Sequence, residues 1–570
     1  MCGISGVILK NNISKEKLEK YIKNLLELQH NRGPDDNGHH IFNNLVLGHN
    51  RLSIIDLNNR SKQPFQFKNL VLSFNGEIYN YIELRESLIK KYNEFFKTTS
   101  DTEVLIKMFY YYGIEKTLNQ IEGMFSIILL NKITNKLFLI RDRIGIKLCY
   151  YYNDENIFMF ASTPGPIAKT LYKFSNKKFD IDKYTLFYYL SSGLCPTNKS
   201  LFENIYGLKP AHIIEYNLYD NIFASNKWWT PNLKNNLNLE EILDESVKQR
   251  ENSDVDGSVI FSGGIDSSII CYFNSKFDYL TIDLGEMKYT KNILSDLNKD
   301  GLNVISNEYV KNFNNIFIEE QRSIINLSGI PVKSCYLLNL IAKYINEHTK
   351  KKIVLSGFGG NELFYGHRRM CMNNKSINDH IKNIFFYLSQ IESLDNEYGE
   401  YLIEFKKNLV KNILGELDVS NDNIDLVRLL EINTHLLNDY IVNFDIIFMN
   451  YSIEGRVPLL NYKILEHCFS KEIDYFFYNM NDKLSWTEYV NSSKKPLKDI
   501  LKKKIQENNI FKPKFTAEVQ KHIIGPLYIP LCKKFINRKI INWNSFWTKF
   551  NSPIIGNLEL WFQEYEFLLN

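Results

Sequence analysis

The sequence predicts two joined domains. A layered α+β domain spans residues 1–215, a linker follows at 216–238, and residues 239–570 form a parallel α/β domain that becomes mainly helical from about Asp379. Three observations predict this. At 570 residues the chain exceeds what one hydrophobic core usually serves. Its first part alternates short β-branched and aromatic runs with helical stretches, and Phe125–Leu130 and Leu137–Arg141, on either side of a polar turn, read as an antiparallel hairpin. Beyond the polar, Asn-rich stretch Asp220–Asn238, the strand Ser258–Phe261 runs through a glycine turn into a helix, as in the opening unit of a parallel α/β domain.

The individual elements follow from the same signals. Strands are expected at Gly3–Leu9, Leu45–His49, Leu70–Phe74, Phe125–Leu130, Leu137–Arg141 and Ile157–Ser162. Helices are expected at Lys15–His30, Tyr81–Lys91 and Asp101–Tyr112, the last opened by Ser100 as N-cap. In the second domain, Leu239–Arg250 is a helix and Val354–Gly357 a second strand ending in a glycine turn.

Composition excludes several classes. With 44% hydrophobic and 24% charged residues the chain is not mostly disordered. A net charge of +4 from 69 basic and 65 acidic residues gives no electrostatic footprint for nucleic acid. No stretch approaches the roughly 18 apolar residues of a membrane span, and the N-terminus has neither the basic region nor the apolar run of a signal peptide. The eight cysteines are scattered and form no Cys-x-x-Cys pair, which fits a reducing cytoplasm. A homodimer is left open.

Cys2 is the first candidate for chemistry. Loss of Met1 would leave a cysteine with a free α-amine, so that one residue supplies both nucleophile and base. A glutamine substrate also needs a carboxylate clamp, an ammonium partner and an oxyanion hole. Arg51 can fork a carboxylate, Glu77 and Asp101 can hold an ammonium, and Asn75 and Gly76 can donate to an oxyanion. Taken singly, such residues have ordinary readings: Arg32 and Asp35 as a bridge within a turn, Asn75-Gly76 as a hairpin turn and Asp101 as part of a helix cap. Together with Cys2-Gly-Ile-Ser-Gly, the ordered segments Arg32-Gly-Pro-Asp, His49 to Asp56, Asn75 to Asn80 and Arg141 to Lys147 resemble the glutaminase domain of the asparagine synthetase B family. The resemblance implies an N-terminal-nucleophile αββα sandwich that hydrolyses glutamine and releases ammonia. It implies Cys2, Asn75 and Gly76 as catalytic groups, and a glutamine site formed with Arg51, Leu52, Ser53, Ile54, Ile55, Glu77 and Asp101. Asn31 stands where the family usually has His, Leu148-Cys149 replaces a usual Pro-Leu, and Thr163 replaces a usual Glu.

The second candidate is Ser262-Gly263-Gly264-Ile265-Asp266-Ser267-Ser268, between a strand and a helix. Glycines let the backbone approach an anion, the helix N-terminus favours phosphate, and Asp266 offers Mg²⁺ a hard oxygen. No Lys stands where a Walker A loop needs one. The segment resembles the pyrophosphate loop of ATP pyrophosphatases, which implies ATP and Mg²⁺ as cofactors and an ATP-pyrophosphatase-type domain. By the same resemblance Phe261, Leu284, Ser356 and Gly357 line the adenylate site, and Lys494 contacts phosphates at the catalytic centre. By sequence alone Lys494 reads equally as one of several solvated lysines.

The acceptor side departs from the family. Where the family has Ser-Gly-Glu-Gly-x-Asp-Glu, this chain has Ser356-Gly357-Phe358-Gly359-Gly360-Asn361-Glu362. A carboxylate has become Phe358 and a metal-binding Asp has become Asn361, so Glu362 is the nearest carboxylate left to substitute; Phe358 read by itself is an ordinary packing residue. The acidic residues usual before the Pro are also missing at Leu327-Ser-Gly-Ile-Pro331. The implied function is glutamine-dependent asparagine synthesis, with glutamine, ATP and aspartate as substrates and AMP and pyrophosphate as products. Two alternatives stand beside it. One keeps the chemistry on another carboxylate, a uronic acid or a peptide; the other is a binding or regulatory paralogue with an impaired synthetase half.

Overall fold

A computed structural model of the chain describes residues 2–11, 14–233, 237–283, 287–332, 336–371, 423–479, 484–510 and 552–570. Two six-stranded antiparallel sheets face each other in the first domain. One has the order β10-β8-β9-β1-β3-β2, formed by Ile205–Gly207, Tyr150–Asn153, Ile157–Ala161, Gly3–Leu9, Leu45–Arg51 and Asp36–Phe42. The other has the order β12-β11-β7-β6-β5-β4, formed by Phe223–Lys227, His212–Asn217, Lys136–Arg141, Gly123–Asn131, Leu70–Ile78 and Phe65–Phe67.

Period-two patterning assigns each strand its faces. Ile4 and Ile8 of β1 meet Val71, Ile128, Leu130, Leu137 and Leu139 between the sheets. Val7 and Leu9 point the other way, into a core shared with α1 (Lys15–Leu28), which buries Leu18, Tyr21, Ile22, Leu25 and Leu26 along one face. On the far side Leu72, Phe74, Ile127 and Leu129 pack under α2 (Tyr81–Tyr92) and α3 (Asp101–Gln120). The result is the expected αββα sandwich. Ser100 caps α3, its side chain accepting from the Thr102 amide.

The first domain extends further than expected. Phe223–Lys227, within the expected linker at 216–238, is paired with β11 from His212↔Lys227 to Tyr216↔Phe223. Trp228 then anchors the chain, its indole N–H donating to the Arg141 carbonyl at 3.0 Å.

The second domain holds a five-stranded, wholly parallel sheet ordered β15-β14-β13-β16-β17: Leu302–Ile305, Asp278–Ile282, Gly257–Ile260, Ile353–Leu355 and Glu454–Arg456. The chain leaves β13 for β14 on one side and later returns as β16 on the other. The crevice outside the carboxyl ends of β13 and β16 is thus the sheet's switch point, where α/β folds place ligands. Of the expected helical C-terminal part, residues 372–422 and 511–551 lie outside the described residues; those described include the helices Asn423–Glu431, Val442–Asn450 and Tyr462–Phe469.

The two domains are joined by buried charge. Arg32 Nη2 meets Asp445 Oδ2 at 2.9 Å, Lys147 Nζ lies 3.7 Å from Asp445 Oδ1, and Arg456 Nη2 lies 3.3 Å from Glu77 Oε1. At the solvent-accessible margin of the contact, Lys352 Nζ meets Asp35 Oδ2 at 2.7 Å. Arg32 and Asp35, which the sequence suggests as a local pair, therefore each bind a partner from the other domain.

Candidate active sites

Cys2 is buried at the start of the central strand β1, where Gly3 pairs with Asn50 of β3. Its backbone nitrogen donates to Asn75 Oδ1 at 2.9 Å, and its carbonyl accepts from Arg32 Nε at 3.3 Å. Its Sγ lies 3.9 Å from the Leu52 carbonyl. Burial pushes the thiol pKa up, partly offset by the N-terminal ammonium, the Leu52 contact and Arg51. Asn75 and Gly76 lie on β5. Buried Asn75 Nδ2 has no hydrogen-bond partner among the described residues, an unmet donor beside the Cys2 backbone. Gly76 has φ +153°, and a Cβ there would stand 2.0 Å from the Met124 carbonyl oxygen, so only glycine permits this pairing with β6.

A pocket opens over Cys2. Arg51, Leu52, Ile54, Ile55, Gly76, Glu77 and Asp101 are among the residues that line it. Arg51 is held by the loop that follows it, donating to the carbonyls of Asn58 at 2.9 Å, Ile55 at 3.3 Å and Asp56. Ser53 fixes that loop, its amide donating to Asp35 Oδ2 at 2.7 Å. Asp101 Oδ2 accepts from the Ile78 amide at 3.0 Å, and burial raises its carboxyl to about 6. Burial and the neighbouring Glu454 push Glu77 well up, whereas Glu454, although burial opposes its charge, is held at about 2 by the N-terminal ammonium, Arg456 and Lys147. Asp101 is thus the carboxylate of this lining that titrates near neutrality. The pocket lining holds both a guanidinium and carboxylates, a set that suits a zwitterionic amino acid.

Sequence reasoning missed several pocket residues: Gln63, Phe74, Ser100, Thr102 and, from the second domain, Glu454. Glu454 is far away in sequence, and its reach into the first domain is a tertiary fact. Another segment proves to be scaffold. Asp142 Oδ1 accepts from the amides of Ile144, Gly145 and Ile146, and Oδ2 from those of Lys147 and Phe125, all within 3.3 Å.

The second site lies at the switch point. After β13, Phe261 is buried against Tyr279, and the turn Ser262–Gly264 leads into α7 (Ile265–Phe273). Gly263 has φ +71° and Gly264 is the N-cap residue. Ser267 Oγ donates to the Gly264 carbonyl at 3.0 Å and lies 3.2 Å from Ser262 Oγ, while buried Ser268 Oγ has no partner among the described residues. Gly357, after β16, passes so close to Asp266 that a Cβ would stand 2.8 Å from the Asp266 backbone carbon, and at Gly360 a Cβ would stand 2.3 Å from Asp266 Oδ1. Ser356 donates its amide to the Arg456 carbonyl at 3.0 Å. Leu284 lies outside the described residues.

Lys494 reaches into this crevice. Its Nζ lies 2.6 Å from both Asp266 carboxylate oxygens and 2.6 Å from Asn361 Oδ1. It is therefore not one of the solvated lysines. Phe358 stacks on Tyr440 at 5.7 Å and meets Phe444 edge-on at 5.3 Å, packing against the helical segment over 432–450. Glu362 is buried and accepts from His367 Nε2 at 2.9 Å, whereas the carboxylate paired with Lys494 among the described residues is Asp266. Among the described residues no three His, Cys, Asp or Glu side chains converge as a metal cluster.

Comparison with known proteins places this geometry. Residues 1–229 match the glutamine amidotransferase domain family, and residues 238–528 match the asparagine synthase family. The chain is 29% identical over 523 residues to asparagine synthetase (glutamine-hydrolyzing) 1 of Bacillus subtilis, covering 81% of this chain and 79% of that one. It is 29% identical over 408 residues to a putative asparagine synthetase (glutamine-hydrolyzing) 2 of Methanocaldococcus jannaschii, covering 64% and 76%. Asparagine synthetase B of Escherichia coli matches at 30% over 283 residues, 49% of this chain and 45% of that one. A solved glutamine phosphoribosylpyrophosphate amidotransferase from B. subtilis gives a TM-score of 0.30 at 12% identity over 54% of this chain and 81% of that one, too distant to carry an argument. With its second family match covering residues 238–528, more than half of 570, the chain belongs to the asparagine synthase family.

Proposed function

We propose that the chain makes asparagine from aspartate, using glutamine as nitrogen source and ATP as activator. The observation that carries this reading is the pairing of two sites in one chain: Cys2 beside the unmet Asn75 Nδ2 donor, and Asp266 with Lys494 at the sheet switch point. The domain boundary is drawn near residue 230, after Trp228, where the sheet ends and the two family matches divide.

In the first domain Arg51 takes the glutamine α-carboxylate and Asp101 its ammonium. Once Met1 is removed, the Cys2 α-amine accepts the thiol proton as sulfur attacks the side-chain amide carbon. Asn75 Nδ2 and the Gly76 amide donate to the oxyanion. Its collapse breaks the C–N bond, and the proton passes to the leaving ammonia. Water then cleaves the thioester to glutamate and restores the thiol.

In the second domain an aspartate carboxylate oxygen attacks the ATP α-phosphorus and pyrophosphate leaves. Ammonia adds to the acyl carbon, AMP leaves, and the surplus proton goes to solvent. Gly263, Gly264 and the first turn of α7 cradle phosphate, and Lys494 balances the charge that develops there. Asp266 and Asn361 offer hard oxygens around one point, both touching Lys494 Nζ, and fit a magnesium ion held largely by the phosphates of ATP. Bound there, the ion would neutralise phosphate charge. Five buried, unpaired cysteines among the described residues favour the cytoplasm.

The reading is tested by supplying glutamine and ATP with a panel of carboxylates, following pyrophosphate release and identifying the amide by mass. Aspartate should give the largest release. The aromatic packing of Phe358, where the family has a carboxylate, favours the second reading, another carboxylate acceptor; a uronic acid or peptide outperforming aspartate would establish it.

A further inference from the structure

Lys494 holds its place through an unusual backbone. It stands between the helices Trp486–Ser492 and Lys495–Leu501 with φ 57° and ψ 29°, a left-handed conformation that is unfavourable for a residue with a Cβ. Such a conformation persists only where its surroundings impose it. Besides the Lys494 contacts to Asp266 and Asn361, one buried side chain braces the turn. Lys498, on the following helix, is buried and directs its ammonium back under the turn, donating to the carbonyls of Val490 at 2.6 Å, Asn491 at 2.9 Å and Ser493 at 2.6 Å. Two of these belong to the last turn of the first helix and the third to its C-cap, the carbonyls that a helix end leaves unbonded and that its dipole makes attractive to a cation. The Lys498 amide also donates to the Lys494 carbonyl at 3.1 Å. One residue thus pins the segments before and after Lys494.

We infer that Lys498 is a positioning residue for adenylation: by tying the end of one helix to the start of the next, it fixes the left-handed turn that delivers the Lys494 ammonium to Asp266 and Asn361. The inference rests on the proposed role of Lys494. A second feature supports it. Burial, with Lys494 and Lys502 nearby, lowers the Lys498 pKa to about 7 against the opposing pull of Asp266 and Asp499. Only the protonated amine has three donors. Support for the turn is therefore full well below pH 7 and is lost as pH rises through about that value.

The test uses the full-length protein with Lys494→Met, Lys498→Met and Lys498→Arg, assayed for pyrophosphate release with ammonia as nitrogen source and for glutamine hydrolysis without ATP. Lys498→Met should lower kcat for pyrophosphate release about a hundredfold, the scale of an ångström-sized misplacement, with less change in KM for ATP and none in glutamine hydrolysis. Lys498→Arg, charged throughout, should recover most of the rate and lose the decline above about pH 7. If Lys494→Met abolishes release while Lys498→Met matches wild type, the positioning role is overturned. A decline above pH 7 that persists unchanged in Lys498→Arg also overturns it, and this arm decides the matter if Lys498→Met fails to fold. Unimpaired release in Lys494→Met would instead overturn the underlying reading of Lys494.

Discussion

The first domain carries its reactive groups on strands and at one helix mouth: Cys2 opens β1, Asn75 and Gly76 lie on β5, and Asp101 begins α3. The second domain carries its candidate groups beyond strand ends: Asp266 in the first turn of the helix Ile265–Phe273 after β13, Asn361 in the short helix Gly360–Leu363 after β16, and Lys494 at the turn between two short helices. A strand residue is fixed by its register. Moving Gly76 breaks the pairing with β6, and moving Asn75 breaks its bond to Cys2. A residue beyond a strand end has no such register and is fixed by what its own side chain and its neighbours hold. This difference fits where the chain departs from its family, with the glutaminase motifs nearly intact and the changed residues Phe358 and Asn361 both in the turn and short helix that follow β16.

The sharpest way to break the comparison is at Asn75. Asn75→Ala removes a strand-borne donor with no partner among the described residues, so glutamine hydrolysis should fall by about 10²–10³ while ammonia-supported pyrophosphate release is unchanged. A matching fall in both activities would show that Asn75 mainly holds the fold.

A smaller effect comes from pH. Burial raises Asp101 to about 6, so its carboxylate, the form that holds an ammonium, is lost as pH falls through that value. The apparent KM for glutamine should then rise, by roughly tenfold per unit well below pH 6. Asp101→Asn should show a raised KM at every pH and no such limb; a limb surviving in Asp101→Asn would move the titration to another group.

The mildest effect is expected beyond the strand ends. Phe358→Glu with Asn361→Asp restores the family pattern and should raise aspartate-dependent pyrophosphate release by roughly tenfold, the scale of one recovered charge contact. Equal rates for wild type and the double variant would make these departures neutral, in keeping with the packing of Phe358 on Tyr440.

Legibility in the sequence followed the same division. Gly3–Leu9 and Leu239–Arg250 were readable because their patterning agrees with the element they form. Asp36–Phe42 escaped because the strand is half exposed and its polar Asp-Asn-Gly-His-His run lacks an apolar face. Phe223–Lys227 looked like linker because it is a polar edge strand paired on one side only. Motif residues of the glutaminase pocket were legible one by one. The partners that cross between domains were not, since Arg32–Asp445 and Glu454 beside Glu77 join residues hundreds of positions apart, and local pattern carries no record of such pairing.

The central claim is that two separable reactions share one chain, with Cys2 supplying nitrogen to a site that activates its acceptor independently. Cys2→Ala tests it most directly, with asparagine formation from aspartate and ATP measured by mass using glutamine and then ammonia as nitrogen source. The account predicts no product with glutamine and wild-type product with ammonia. Asparagine formed from glutamine by Cys2→Ala, or none formed from ammonia by a folded Cys2→Ala, would contradict it.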